Sequence, residues 1–298
     1  MQGLLLLSKP EGITSFSAVS AVKRIASEKR VGHTGTLDPM ATGVLPILLG
    51  RATVLSSLML DADKRYTAKI RLGTVTDTDD ITGEILSQNE VNITNEELYA
   101  ALEHFTGKIK QKPPIYSAIK KAGVRLYKLA REGKAAEIFE RDVEVYSIKL
   151  IEGLNSNFEF CIDTHVSKGT YIRSLARDIG EFLGCGATLS GLERTYASGF
   201  DISECVPLDK LNSENILEYI LSEEKVVSHL AQISITEKQA IRFSNGGQLS
   251  FDRLNLDSSK VTENELFRVK LGEKLLGIGF ADLKNSQICI KCILNYPE

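Results

Sequence analysis

Gly32-His33-Thr34-Gly35-Thr36-Leu37-Asp38-Pro39-Met40-Ala41-Thr42-Gly43-Val44-Leu45-Pro46-Ile47-Leu48-Leu49-Gly50 is the stretch on which the fold turns. Gly35, Pro39 and Gly43 interrupt any regular helix or strand, because Gly tolerates backbone angles other residues avoid and Pro fixes φ and removes a donor. The run closes on Val44, Leu45, Ile47, Leu48 and Leu49, which read as a buried anchor. A shaped loop on an apolar footing results, with one carboxylate, Asp38, inside it. Loops held by rigid scaffolds are where catalytic groups concentrate. Asp-Pro is also a common turn signal, with the Asp side chain bonding its own backbone. On spacing alone Asp38 is either a turn former or a reacting group.

The 298 residues are 43% hydrophobic, enough for one large domain or two ordinary ones. A net charge of −3 does not announce a nucleic-acid binder, but a local basic surface matters more than the total. The five Cys are odd in number and scattered, which argues against a disulfide framework. Cys289 and Cys292 form a lone C-x-x-C in a strand-like run, too few ligands for a structural zinc site. The four His make no H-E-x-x-H or similar cluster. Residues 4–7 are too short for a signal-peptide core and no run reaches membrane-span length, so the expected location is cytoplasmic.

Outward from the loop, residues 3–7 read as a buried strand leading into Lys9-Pro10-Glu11-Gly12-Ile13-Thr14-Ser15. Ser15 is the predicted N-cap of a helix from 16 to about 29. Residues 52–60 look helical, and Asp61-Ala62-Asp63-Lys64-Arg65-Tyr66 enters a strand over 66–72. Asp77, Asp79 and Asp80 lack the Gly and distal Glu of an EF-hand loop, so residues 73–83 are predicted to be a solvated turn. Thr94 and Glu97 form a capping box for a helix to about 105.

Between Lys108 and Lys134, nine cations (Lys108, Lys110, Lys112, Lys120, Lys121, Arg125, Lys128, Arg131, Lys134) face a single acid, Glu132. Such a run is either a solvated face or a phosphate-binding surface. Residues 143–152 and 158–166 alternate as paired strands. Ser167-Lys168-Gly169-Thr170-Tyr171-Ile172-Arg173 follows, with Thr170 the predicted cap of a helix to about 183, which puts Tyr171 and Arg173 in its first turn. A polar, helix-leaning connector spans 208–224. Short strands over 267–270, 275–281 and 287–294 then predict a small barrel.

G-H-T-G-T-L-D-P with A-T-G and L-P resembles the active-site motif of the TruB family of tRNA pseudouridine synthases. K-P-x-G-x-T-S, D-K-R-Y and S-K-G-T-Y-I-R resemble its first, second and third motifs. P-P-x-Y-S-A-x-K with G-x-R-L-Y resembles its tRNA-gripping segment. The resemblance implies that Asp38 is the catalytic carboxylate and that Arg173 pairs with it. It implies further that Tyr66 packs against the target base, and that His33, Tyr171, Leu192 and Lys9 contact the substrate. Lys120, Lys121, Arg125 and Lys128 are the implied RNA contacts. Glu193 stands where the family commonly has Arg, which puts an RNA contact there in doubt, and Arg194 carries over only weakly.

The implied fold is α+β. A catalytic domain over 1–226, with a mixed, mainly antiparallel sheet and an RNA-gripping insertion at about 105–141, precedes a PUA-like β-barrel over 227–298. The implied reaction is isomerisation of uridine 55 in the tRNA T-arm to pseudouridine, by a monomer needing no cofactor, metal or obligatory protein partner. Attack at the base C6 and attack at the sugar C1′ both stay open. So do two other readings: a non-catalytic RNA-binding module on the same scaffold, and a synthase working inside a guide-RNA particle.

Overall fold

A computed structural model describes residues 1–115, 120–121, 124–125 and 139–297. An eleven-stranded sheet dominates. Its strands include β1 (Gly3–Lys9), β2 (Thr42–Leu49), β3 (Lys64–Leu72), β4 (Gly107–Gln111), β5 (Arg141–Glu152), β6 (Glu159–Val166) and β7 (Ala187–Ala197). The spatial order is β1-β2-β7-β3-β6-β5-β4. Pairing is antiparallel except where β7 meets β2 and where β1 meets Val206–Pro207. Helices α1 (Ser15–Ile25), α2 (Asn95–His104) and α3 (Ile172–Phe182) contribute their buried faces to one apolar core with this sheet.

β1 and β2 are apolar at nearly every position because both of their faces are covered. Side chains alternate across a strand. Leu5, Leu7, Leu45, Ile47 and Leu49 enter the core under α1 and α3, while Leu4, Leu6 and Leu48 enter a second core on the other face. That second core is completed by Val226, Val227, Leu275, Ile278 and Leu294. Leu275 and Ile278 come from a five-stranded sheet in which Lys274–Asp282 (β8) and Gln287–Ile293 (β9) pair antiparallel, and Leu294 follows β9 directly. This curled C-terminal sheet is consistent with the expected PUA-like unit. The bond from the Gln2 amide to Glu223 at 2.6 Å and its bond to Asn295 at 3.0 Å tie the two ends of the chain together.

The paired strands and the Thr94–Glu97 capping box form as expected. Three local expectations are corrected. The N-cap of α1 is Thr14, whose hydroxyl accepts from the Ser17 amide at 2.9 Å, and the helix stops at Ile25 because Ser27 turns left-handed at φ 49°. Thr170 does not cap α3: its hydroxyl donates to the Ser167 carbonyl, and Tyr171 is the N-cap, its side chain making no capping bond to the helix. The connector is not a helix but short 3-10 turns plus Ile220–Leu221, which pairs with β1. Among the described residues no helix is long and apolar enough to cross a membrane.

Ile278 tests whether the second core joins the two parts of the chain. It is fully buried against residues from both. Ile278→Ala is expected to cost about 2–5 kcal/mol and to lower the urea midpoint of the whole chain. A shift confined to a separate C-terminal transition would show that the halves unfold independently.

Candidate active site

The Asp38 loop is bound from three sides. From α1, the Ser15 hydroxyl donates to the Leu37 carbonyl at 3.0 Å and accepts from the Leu37 amide at 2.8 Å. From the loop after β1, the Gly12 amide donates to the Pro39 carbonyl at 2.8 Å. Lys9, fully buried, donates from Nζ to the carbonyls of Pro10, Ile13 and Pro39 at 2.7, 2.8 and 3.3 Å. Burial pushes the Lys9 ammonium down to about 8, with Asp38 opposing the shift.

From β7, Arg194 donates from Nε to the Val44 carbonyl at 2.7 Å and from its terminal nitrogens to Gly35 at 3.1 Å and Thr36 at 3.5 Å. Gly43 makes the approach of β2 to β7 possible. Its φ is 100°, and a Cβ there would overlap the Arg194 main chain.

Arg173, in the first turn of α3, meets Asp38 as a two-point fork. Its Nε lies 3.0 Å from Oδ2, and a terminal nitrogen lies 3.3 Å from Oδ1. The other terminal nitrogen reaches the Thr78 carbonyl at 3.0 Å and the Asp80 carboxylate at 3.4 Å. Asp80 is only 4% exposed and accepts from the Thr82 amide and from the hydroxyls of Thr78 and Thr82.

One turn further along α3, Arg177 pairs with Asp79 at 2.9 Å and Asp178 at 2.7 Å. The acidic turn is therefore not simply solvated: Asp80 is buried and Asp79 half-buried as partners of the α3 arginines. Burial pushes the Asp38 carboxyl above its ordinary value, Arg173 pulls it down, and the Asp80 charge pushes it up again. Among the described residues no three His, Cys, Asp or Glu side chains are grouped to hold a metal ion.

Tyr66 is buried on β3 in the same cluster as Leu37, Met40 and Ala41, which bracket Asp38, and Leu192 packs against that cluster. Ile172, the neighbour of Arg173, belongs to it as well. His33 sits on the short strand Val31–His33, where its Nδ1 accepts from the Gly35 amide at 3.3 Å. Burial, helped by the Arg194 charge, pushes the imidazole down, which keeps it neutral.

Tyr171 is clamped by its backbone: the Gln111 side chain accepts from its amide at 2.8 Å and donates to its carbonyl at 3.0 Å. Lys9 joins the site from beneath, with its ammonium on carbonyls. Glu193 is exposed. Of the implied RNA contacts, Lys120, Lys121 and Arg125 fall in two short paired strands, and their side chains and all of Lys128 lie outside the described residues.

Sequence reasoning placed Asp80 in a solvated turn, passed over Arg177 and Gln111, and carried Arg194 over only weakly. A polar residue at a position that strand alternation turns inward was the available signal for Arg194, two residues beyond Leu192.

Residues 23–172 match the family described as TruB family pseudouridylate synthase (N terminal domain), and residues 173–232 match tRNA pseudouridylate synthase B C-terminal domain. The tRNA pseudouridine synthase B of Clostridium acetobutylicum is 41% identical over 280 residues, covering 94% of this chain and 95% of that protein. That of Clostridium tetani is 43% identical over 280 residues with the same coverage, 94% and 95%. A chain in the archaeal box H/ACA sRNP Nop10-Cbf5 complex superimposes with a TM-score of 0.73 at 26% identity, covering 99% of this chain and 88% of that one. A chain in a Cbf5-Nop10-Gar1 complex does so at 0.71 and 25%, with coverage of 99% and 84%.

The opposed causes on Asp38 give a signed expectation. Arg173→Met removes the downward cause and keeps the upward ones, so the Asp38 midpoint rises further, read by carboxyl carbon NMR with Asp38→Asn as the assignment control. Asp38 is half-buried, so removing its partner leaves a carboxylate only partly met by solvent and destabilises the variant. Because the stranded Asp38 carboxyl is harder to ionise when folded, the variant's deficit grows as pH rises from the ordinary carboxyl range to that midpoint, and it shrinks as pH falls. An unmoved midpoint would deny Arg173 any hold on the ionisation.

Proposed function

This chain belongs to the TruB family of pseudouridylate synthases, and we propose that it isomerises uridine 55 in the T-arm of tRNA to pseudouridine, with Asp38 as the reacting carboxylate. The observation that carries the reading is the two-point contact between Asp38 and a buried Arg173 beside an apolar wall that includes Tyr66. A stacked base inside folded RNA is out of reach, so it is flipped out at a cost of a few kcal/mol. Tyr66 offers an aromatic face to the flipped base, as aromatic residues do in RNA sites, and Leu192 lines the same wall. A neutral His33 suits the space the base vacates. Tyr171, at the head of α3, serves as a packing wall or proton relay.

Asp38 in its ionised form attacks carbon, at C6 of the base or C1′ of the sugar. The glycosidic N1–C1′ bond breaks, the base turns over and C5 bonds to C1′; the bond to Asp38 is released, the proton on C5 is lost and N1 takes one up. Atoms balance without an oxidant or a second substrate, so the residues at hand suffice: Arg173 keeps Asp38 ionised and aimed through a charge-assisted fork.

Binding falls to the cationic segment containing Lys120, Lys121, Arg125 and Lys128, within the insertion of about 105–141, and to the unit over 227–298 as an accessory contact to the catalytic unit over 1–226. The close likeness to proteins named tRNA pseudouridine synthase B supports tRNA as the substrate; the reading includes a cytoplasmic monomer acting without a protein partner. A reading as a non-catalytic RNA binder fits less well, since it gives the Asp38–Arg173 fork no task.

The deciding experiment maps pseudouridine in tRNA incubated with the purified chain alone. Asp38→Asn keeps shape and removes charge. It is expected to lose several orders of magnitude in single-turnover rate at nearly unchanged tRNA affinity. A residual rate within about tenfold of wild type, worth ~1.4 kcal/mol, would falsify the assignment. Replacing Lys120, Lys121 and Arg125 together with Ala is expected to flatten the dependence of log affinity on log salt by roughly 0.7–0.9 for each phosphate no longer neutralised. An unchanged slope would return these residues to a solvated face.

A further inference from the structure

Among the described residues Arg194 is the largest fully buried side chain, at 1% exposure. A buried guanidinium is costly unless its donors and its charge are met. Among the described residues Arg194 has no carboxylate in ion-pair range. All its hydrogen bonds go to backbone carbonyls of the catalytic stretch: Gly35 and Thr36 before Asp38, and Val44 after it. A planar fork carries its donors on three nitrogens in one fixed geometry, where an ammonium is a single flexible point charge. The closeness is built in from the backbone as well, since Gly43 pairs with Arg194 and has no room for a Cβ.

The largest charge effects on the Asp38 carboxylate come from Arg173, Asp80 and Lys9, ahead of any from Arg194. The Arg194 charge acts on His33, Lys9 and Lys64.

We propose that Arg194 is a positioning residue for the isomerisation: it pins both arms of the loop and so sets where Asp38 stands, while Arg173 sets its charge and aim. The proposal rests on the reading of Asp38 as the reacting group. Two arginines touch one loop with separable duties. Loss of the brace then lowers the rate at every pH without moving the ionisation that governs it.

The test compares wild type, Asp38→Asn, Arg194→Lys and Arg194→Met in single-turnover pseudouridine formation across the acid limb of the pH profile, together with tRNA affinity. A displacement of about 1 Å at a reacting group costs on the order of a hundredfold in rate. Arg194→Lys, which keeps the charge and loses the fork, is expected to fall by that much, with the acid-limb midpoint and the tRNA affinity of wild type. Arg194→Met is expected to fall at least as far; if it does not fold, Arg194→Lys decides alone.

A wild-type rate in Arg194→Lys alongside an inactive Asp38→Asn overturns the brace and leaves the function standing. An active Asp38→Asn overturns the function beneath it. A midpoint that moves with the rate overturns positioning in favour of an electrostatic role, and a collapse of affinity in step with rate overturns it in favour of RNA binding.

Discussion

A buried guanidinium must be met on every side, and Arg173 is met by partners from distant parts of the chain. Asp38 is 135 residues away, and the Thr78 carbonyl 95. The desolvation cost of such a group is several kcal/mol, recovered only when geometry is good and every donor is satisfied. That requirement explains the acidic turn. Asp80 cannot be a solvated carboxylate, because it faces the side of Arg173 that Asp38 leaves open. Three donors from Thr78 and Thr82 meet its carboxylate where water does not reach. The Thr-rich, Asp-rich composition of the turn is thus a consequence of the arginine on α3.

The same logic runs down α3. Arg177 follows Arg173 by one helical turn and so lies on the same face. It reaches Asp79, next to Asp80, and donates to the Lys112 carbonyl at 2.9 Å, as Ser174 also does at 2.9 Å. Together with Gln111 on the backbone of Tyr171, these bonds fix the end of β4 to the first turns of the helix that carries Arg173. The cationic stretch proposed to hold RNA departs from β4, so its root and Arg173 share one rigid support.

Motifs in the sequence mark Asp38 and Arg173 but not the residues that hold them. The Asp38 loop, the capping box at Thr94 and the strand pairs are legible because each is set by neighbours within a few positions: turn formers, an S/T-x-x-E spacing, period-2 alternation. Ser15 misleads for the opposite reason. Its type suits an N-cap, and Thr14 beside it suits one equally; what decides is that Leu37, 22 residues on, uses the Ser15 hydroxyl twice. Lys9 reads as a substrate contact because a lysine in a motif invites that reading, and only the three converging carbonyls reveal an internal use. Arg194 and Asp80 escape a sequence reading because a lone charged residue is ordinarily exposed. Nothing local reports that a strand neighbour or a distant helix will close over it.

Catalytic loops trade mobility against accuracy, and this one is resolved toward accuracy by unusual means. Gly35 and Gly43 take φ values of 140° and 100°, which free the backbone to fold tightly around Asp38 but leave it with more unfolded freedom to lose. A loop so composed is held only if something outside it supplies the order. Ser15, Lys9 and Arg194 supply it entirely through main-chain groups, so the side chains of the loop stay available to the substrate. Carbonyl acceptors flanking the carboxylate are thereby turned toward buried cations and away from it. Arg173 is thus the cation bonded to the Asp38 carboxylate itself, while Lys9 and Arg194 spend their hydrogen bonds on main-chain carbonyls and act as struts.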